Sequence, residues 1–356
     1  MQRILETEDS KYILLKRIGI GGTSLVYKGY CLEDNSHKLY AIKIFKPQYK
    51  KYYEQEILVN KILPQKLFLS LIKHGIGHKY KEYKNAPDSI ISKSNNESNM
   101  PRKKFIKIVF YKIEELAENG ELFSYVYKLN KGFTEHIGAK IFEKIVKSVK
   151  VLHEHNIVHC DIKPENILFN SDYNVKLMDF GFSQVINRNN NNIIYGNKGS
   201  EIYSSPEIRK SLISGYDGIK SDIFSLGVLL FVIIIGRFPF ISSDKSDGRY
   251  NLIINKNYNN YWVNYNNYNL SKEFKDLINH MICYEPNERF SIDEILEHPW
   301  IQNNVNNNKL KKENKDNKEN KKGEENNDNK ENDCNVDQDV LNELKKRRIL
   351  IQKKKN

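Results

Sequence analysis

Residues His159 to Asn166 read H-C-D-I-K-P-E-N, and thirteen residues after Asn166 comes Asp179-Phe180-Gly181. These side chains match the needs of phosphoryl transfer. That reaction takes an aspartate to orient an attacking hydroxyl and accept its proton, a lysine to neutralise charge on the moving group, and an asparagine plus a second aspartate to hold metal. Asp161, Lys163, Asn166 and Asp179 supply them in that order. A random Asp-rich loop would have to reproduce about eight fixed positions over two segments, which makes chance the poorer account.

The elements that must carry these groups are visible as patterns. Tyr12 to Gly19, Ser24 to Tyr30 and Lys38 to Phe45 are rich in Ile, Leu, Val and Tyr and broken by Gly or polar turns, as antiparallel strands are. Between the first two runs Gly19-Ile20-Gly21-Gly22-Thr23-Ser24-Leu25-Val26, where glycines allow backbone N–H groups to face an anion. By itself this stretch equally describes a glycine-rich hairpin in any sheet. Tyr49 to Leu63 is helical in pattern and ends before Pro64, with Glu54 and Glu56 among its residues.

Lys79 to Lys104 is polar and without periodicity, which predicts a disordered insertion before strand character resumes at Ile106 to Ile113. Thr134 to His155 carries Ile137, Ile141, Ile145, Val149 and Leu152 at helical steps, with Thr134 as N-cap. This helix delivers the chain to His159. His153, His155 and His159 invite a metal reading, but two belong to the helix and its end and one to the loop, so structural roles are expected. Ile167 to Phe169 and Val175 to Met178 are short strands about a turn at Asn170 to Asn174.

Composition narrows the class. A chain of 356 residues accommodates one sizeable two-lobed domain and a tail. Cys31, Cys160, Cys283 and Cys334 lie far apart, with no C-x-x-C pair, which indicates neither a disulfide framework nor a zinc site and implies a reducing compartment. The apolar run Ile223 to Ile235 is short of the roughly 20 residues a membrane crossing needs, so a buried core helix is expected. Met1-Gln2-Arg3-Ile4 shows no signal pattern and no myristoylation glycine. The expectation is a cytoplasmic monomer, with the nucleus as alternative, and no membrane partner. Net charge is +12, of which +4 falls after residue 302, and no Arg and aromatic interleaving points to nucleic acid.

Taken together, the His159 loop and Asp179 turn resemble the catalytic loop and D-F-G turn of eukaryotic protein kinases. Gly19 to Val26 resembles the family's glycine-rich loop, with Ser24 in place of the third glycine, and Tyr40-Ala41-Ile42-Lys43 resembles its V-A-I-K strand. Glu115 to Leu122 resembles the hinge, and Gly199-Ser200-Glu201-Ile202-Tyr203-Ser204-Ser205-Pro206-Glu207 resembles G-T-x-x-Y-x-A-P-E. Asp222 to Gly227 is similar to D-x-W-S-x-G with Phe224 for Trp, and Cys283 to Arg289 and Glu297 to Trp300 look like the domain's ending.

The resemblance implies an α+β, bilobal kinase fold over residues 12–301. A small, mainly antiparallel β N-lobe with one helix would span about 12–114, a hinge 115–118, and a larger, mainly helical C-lobe 119–301. It implies ATP with Mg2+, or Mn2+ as the alternative cation. Ile18, Gly19, Gly21, Val26, Ala41, Lys43, Glu115, Ala117, Glu121 and Leu168 would surround the nucleotide, with Glu56 fixing Lys43. Asn166 and Asp179 would hold metal, and Asp161 and Lys163 would be catalytic. Glu114 falls at the back of the adenine pocket, where a charge must find a partner or shift its pKa. Arg289 would pair with Glu207 as a structural, buried ion pair.

Lys163 and Ser200 fit Ser/Thr rather than Tyr substrates, and Phe182 leans toward Ser. Cys160 stands where regulated kinases carry an Arg that binds phosphate in the activation segment. Activity without phosphorylation of that segment is therefore expected. Glu121 and Glu165 resemble the acidic pair that holds Arg upstream of the target hydroxyl, with ribose contact and fold support as their plainer roles. With Gly236 to Phe240 and the His-Pro-Trp ending they suggest the calcium/calmodulin-dependent-kinase-like branch. The alternative is a pseudokinase acting as a binding or scaffold module, argued from Ser24, Glu114 and Cys160. A small-molecule phosphotransferase fits poorly with the complete Gly199 to Glu207 segment.

Residues 302–356 read as a tail. Asn303 to Asn335 has too few apolar residues to fold, while Val336 to Ile351 predicts a short basic amphipathic helix. Such a helix would be an inhibitory segment, a site for a calmodulin-like partner, or a marginal helix at a ragged end.

Overall fold

Tyr12 and Leu14, Ile42 and Ile44, and Val109, Tyr111 and Ile113 recur at every second residue and join Leu5 and Tyr27 in one buried cluster. That shared face folds the first part of the chain. The computed structural model describes residues 2–64, 66–82, 103–196, 199–210, 214–306 and 336–354. They divide into two units, Met1–Ala117 and Glu118–Asn356.

In the first unit β1 (Gln2–Glu6), β2 (Lys11–Ile20), β3 (Ser24–Cys31), β4 (Leu39–Phe45), β5 (Leu71–Glu82) and β6 (Lys103–Glu115) form a closed antiparallel barrel. Its order is β1-β2-β3-β4-β6-β5. Helix α1 (Lys50–Ile62) buries Tyr53, Glu56, Ile57 and Val59. Tyr53 stacks on Phe110 with ring centroids 5.2 Å apart, and its hydroxyl meets His74 Nδ1 at 3.0 Å.

The sheet departs from the sequence expectation at both ends. β1 precedes the expected start at Tyr12 and closes the barrel by pairing with β2 and β5. Ile4 and Leu5 are buried on opposite sides of it, at 1% and 0% exposure, too short an alternation to announce a strand. Lys79 to Glu82 and Lys103 to Lys104, expected within a disordered insertion, are strand residues, with Lys81 opposite Lys104 and Glu82 opposite Lys103. Pairing on both edges of β5 overrides their polar composition. The rest of that insertion, residues 83–102, lies outside the described residues.

The second unit is mainly helical. It begins with β7 (Gly120–Glu121), α2 (Leu122–Tyr127), α3 (Glu135–Glu154) and β8 (Ile157–Val158), then β9 (Ile167–Phe169), β10 (Val175–Leu177), β11 (Gln184–Val185) and β12 (Ile193–Ile194). There follow α4 (Pro206–Lys210), β13 (Tyr216–Asp217), α5 (Gly218–Ile235), α6 (Gly248–Ile254), α7 (Tyr258–Val263), α8 (Lys272–Met281) and α9 (Ile292–Glu297). A further helix, α10, covers 299–306, and the last is α11 (Gln338–Lys353).

Thr134 caps α3 by accepting from Ile137 N, as its sequence predicts. α5 is capped by Asp217 and ends at Gly236 in the left-handed region (φ +77°). Among the described residues it is the helix long and apolar enough to cross a membrane, but 89% of it is buried within the unit. It packs against α3 and α8 as the core helix.

The tail is not structureless throughout. Residues 303–306 continue α10, and α11 packs on α2 and α3, while 307–335 lie outside the described residues. Val340, Leu344 and Ile351 are buried. Arg347, 3% exposed, lies 3.7 Å from the Phe133 ring centroid and donates to the carbonyls of Tyr125 (2.9 Å), Lys131 (2.8 Å) and Gly132 (2.6 Å). Arg348 donates to Asn119 O (2.9 Å) and Glu118 O (2.8 Å), and Lys140 pairs with the N-cap Asp337 at 2.8 Å. An isolated helix of this length is marginal in water; these contacts are what make it stable. Any partner reading its apolar positions would first have to displace it.

Candidate active site

In the second unit the candidate catalytic residues follow the end of α3. A turn after α3 leads into β8, and the following residues are held by Asp222, in the second turn of α5. Its Oδ2 accepts from His159 N (2.8 Å) and meets His153 Nε2 (3.0 Å), while Oδ1 accepts from Cys160 N (3.0 Å). This fixes Cys160 in the left-handed region, at φ +63°, a conformation that persists only where surrounding bonds impose it. His159 Nδ1 accepts from Asp161 N (3.2 Å), so its Nε2 carries the proton and donates to Met178 O (3.1 Å). The His cluster is structural, as expected.

Asp161 is 5% exposed and its carboxylate is held from three sides. Ser200 Oγ donates to Oδ1 (2.9 Å), Lys163 Nζ lies 2.7 Å from Oδ2, and Asn166 Nδ2 donates to Oδ2 (3.1 Å) and to the Asp161 carbonyl (2.8 Å). Lys163 also donates to Ser200 Oγ (2.8 Å). The hydroxyl at residue 200 therefore ties Asp161 and Lys163 together. Gly199 makes this approach feasible. Its φ is +89°, and a Cβ there would sit 2.3 Å from the Cys160 carbonyl oxygen.

Asp179 follows β10 at φ +66°, directly before the turn Phe180–Phe182. Met178 N donates to Asn166 O (3.0 Å), which brings the backbone entering Asp179 beside Asn166. Phe180 packs edge-on against His159 at 5.5 Å. In the three-stranded sheet β10-β9-β7, Glu121 sits opposite Leu168. β7 also packs against the turn Pro164–Asn166, so Glu121 and Glu165 belong to neighbouring elements. Burial pushes the Glu165 carboxyl above the usual glutamate range, and its Oε2 has no hydrogen-bond partner among the described residues.

In the first unit, the hairpin of β2 and β3 places Gly19 opposite Val26 and turns through Gly21 N to Ser24 O (3.0 Å). A Cβ on Gly22 would touch nothing within 4 Å, and one on Gly21 only Ser24, so that surface of the turn is bare backbone. Ser24 is buried, which accounts for a side chain at the third glycine position. Ile18 is 44% exposed at the end of β2. Lys43 sits opposite Val26 and pairs with Glu56 Oε1 at 2.5 Å; Glu54 instead meets Lys50 in solvent. Ala41 lies opposite Glu114 in β4 and β6. Glu115 is still a β6 residue rather than the first of a free hinge, and its Oε1 accepts from Ser70 N (3.3 Å). Ala117 ends the first unit.

Sequence reasoning raised Glu114 as a charge in need of a partner but did not find it. The partner is Lys112, 2.8 Å from both Glu114 Oε1 and Glu56 Oε2. Burial opposes the Lys112 charge, but the Glu114 and Glu56 carboxylates together outweigh it and hold the amine above the ordinary lysine range. Asp222 was likewise visible only as part of a motif.

The donor set suits a hard cation shared with phosphates. Asn166 commits its amide nitrogen to Asp161, which leaves Oδ1 for a metal, and Asp179 supplies a carboxylate. Two protein oxygens are a typical allotment for Mg2+, which keeps waters and takes substrate phosphate oxygens for the rest. Glu207 and Arg289 form the expected pair, bidentate at 2.6 and 2.8 Å, with Arg289 also 5.0 Å from the Phe224 ring centroid.

The protein kinase domain family matches residues 12–301. The SNF-related serine/threonine-protein kinase of Homo sapiens is 38% identical over 198 residues, 54% of this chain and 24% of that protein. Serine/threonine-protein kinase PLK4 of Drosophila virilis is 30% identical over 298 residues, 83% of this chain and 33% of that protein. Testis-specific serine/threonine-protein kinase 2 of Mus musculus is 36% identical over 196 residues, 54% of this chain and 52% of that protein. The chain thus spans about a quarter to a half of the length of these relatives. With the Asp161 loop, the Lys43–Glu56 pair and the Arg289–Glu207 pair all in place, the chain belongs to the protein kinase domain family, and its relatives are serine/threonine-protein kinases.

Proposed function

We propose that this protein transfers the γ-phosphoryl group of ATP to serine or threonine hydroxyls of protein substrates. The observation that carries the reading is the Asp161 carboxylate, fixed by Ser200, Lys163 and Asn166 in one hydrogen-bonded cluster. Asp161 orients the substrate hydroxyl and takes its proton as the oxygen attacks the γ-phosphorus. The bond from that phosphorus to the bridging oxygen breaks and ADP departs. Lys163 neutralises charge on the group in transit, and Lys43, fixed by Glu56, holds the α and β phosphates. Mg2+ at Asn166 and Asp179 would neutralise phosphate charge. In support, the three departures that argue for a scaffold have local accommodations: Ser24 is buried in the sheet, Glu114 is paired, and Cys160 packs on Val158, Ile186, Ile194, Ile208 and Tyr216.

The test is purified protein with Mg·ATP and a mixed peptide library. Label should appear on Ser and Thr and not on Tyr; nucleotide binding with no transfer would instead support the scaffold alternative. Among labelled peptides, Arg upstream of the target should be preferred, because Glu121 and Glu165 lie on neighbouring elements and offer two carboxylates. A protonated Glu165 has no charge to offer. Since its pKa is raised, the Arg-over-Ala preference in kcat/KM should grow as pH rises through a range above ordinary glutamates. A flat ratio across pH 5 to 8 would remove Glu165 from substrate selection.

Activity should survive phosphatase. Ser183 is buried, its hydroxyl donating to His159 O (3.3 Å), and the segment is already tied down by Arg188 to Asn156 Oδ1 (2.7 Å) and His153 O (2.9 Å). Loss of activity on dephosphorylation, mapped to residues 182–199, would overturn this.

A further inference from the structure

Lys43 of β4 and Lys112 of β6 are direct cross-strand partners. Two ammonium groups opposite one another on one sheet face repel. Here the face is covered by α1, and Glu56 enters between them with Oε1 on Lys43 (2.5 Å) and Oε2 on Lys112 (2.8 Å). Glu114, two residues along β6 and on the same face, closes the row at 2.8 Å from Lys112. The result is a buried row of alternating sign, Lys43, Glu56, Lys112, Glu114, with exposures of 5%, 1%, 2% and 6%. His74, the register partner of Lys112 on β5, is turned to Tyr53 instead.

We propose that Lys112 is the positioning residue for the Lys43–Glu56 pair, and that Glu114 is present to balance it. Lys112 holds the second oxygen of Glu56 and so fastens α1 to β6 independently of Lys43. Without Glu114, Lys112 would draw on Glu56 alone and pull it from Lys43. Without Lys112, two buried carboxylates would compete for Lys43, drawing it off Glu56. Neither residue is tolerable alone, whereas an apolar pair in their place leaves Lys43 and Glu56 neutral together. The inference deepens the phosphotransfer reading and rests on the role given there to Lys43.

The experiment is a double-mutant cycle of Lys112→Met, Glu114→Met and the pair, with Lys112→Arg and Glu114→Gln as conservative checks. Thermal unfolding, Mg·ATP affinity by calorimetry and phosphotransfer kinetics are read on each full-length protein. Lys112→Met should weaken Mg·ATP binding and kcat/KM by roughly ten- to a hundredfold, with Glu114→Met and Glu114→Gln milder and Lys112→Arg milder still. The double variant should return to within about threefold of the wild type. Additive losses in the double variant would overturn the proposal, because a side chain that merely fills space is not rescued by a second truncation. If Lys112→Met fails to fold, a double variant that folds and binds Mg·ATP is the expected rescue, and one that also fails to fold would overturn the proposal. A wild type that binds Mg·ATP without transferring phosphate sinks only the phosphotransfer reading, since the cycle in affinity still reports on Lys112. A wild type that binds no Mg·ATP sinks both.

Discussion

Replacing Asp161 with Asn is expected to lower kcat by about 10²- to 10⁴-fold while Mg·ATP affinity stays within about threefold. The loss has two sources in the geometry. An amide cannot take the substrate proton. It also cannot satisfy its surroundings, because Oδ1 accepts from Ser200 while Oδ2 faces Lys163 Nζ and Asn166 Nδ2. Either orientation of an amide sets its NH2 against a group that is a donor here. Ser200→Ala removes one donor and leaves the carboxylate, so it should cost far less than Asp161→Asn. Rapid-quench phosphotransfer and calorimetry on the two variants check this. A D161N protein retaining a tenth or more of wild-type kcat would end the assignment of Asp161 as base.

Arg289→Ala should be the most damaging single substitution for stability, by about 3 to 5 kcal/mol. Arg289 is 2% exposed and makes five donor contacts, to both Glu207 oxygens and to the carbonyls of Cys283 (3.1 Å), Lys220 (2.9 Å) and Tyr284 (3.3 Å). Truncation leaves the Glu207 carboxylate and three carbonyls short of a donor. Lysine cannot reproduce the fork. For a unit of this size the midpoint of thermal unfolding should fall by on the order of 10 °C. Arg289→Met with Glu207→Met should be milder than Arg289→Ala, because no charge is left behind. A fall of under 2 °C for Arg289→Ala would show the pair to be dispensable. Activity should fall with stability, because Glu207 closes the segment that begins at Gly199 and Ser200.

What the sequence made legible was chemistry carried by residue type at fixed spacing. Asp161, Lys163 and Asn166 lie within six residues, so one loop brings them together with no help from the rest of the fold. Glu56 was preferred to Glu54 because Val59, Ile62 and Leu63 then fall where the resembling family's helix packs; Val59 and Leu63 are buried, whereas Ile62 is 44% exposed. Lys112 was illegible for the opposite reason, and the need of Glu114 for a partner could be read only from the family resemblance. K-I-E alternation reads as the wet side of a strand, and only α1 lying over that side makes it dry. Two further features rest on long-range contacts: β1 went unread, while the helix expected over Val336 to Ile351 forms as α11 and only its packing was unforeseen. β1 depends on β5, some seventy residues away, and α11 is held largely by arginines on backbone carbonyls, which no side-chain pattern records.

β1 and α11 both lie outside the stretch that matches the family. Trimming a recombinant protein to residues 12–301 would strip β2 and β5 of their shared neighbour, opening a ring into a sheet with two bare margins of the kind that seed self-association. It would also uncap the carbonyls of Tyr125, Lys131 and Gly132 beside α2. A preparation cut at those familiar limits would then look sluggish and sticky for reasons of carpentry, with its chemistry untouched.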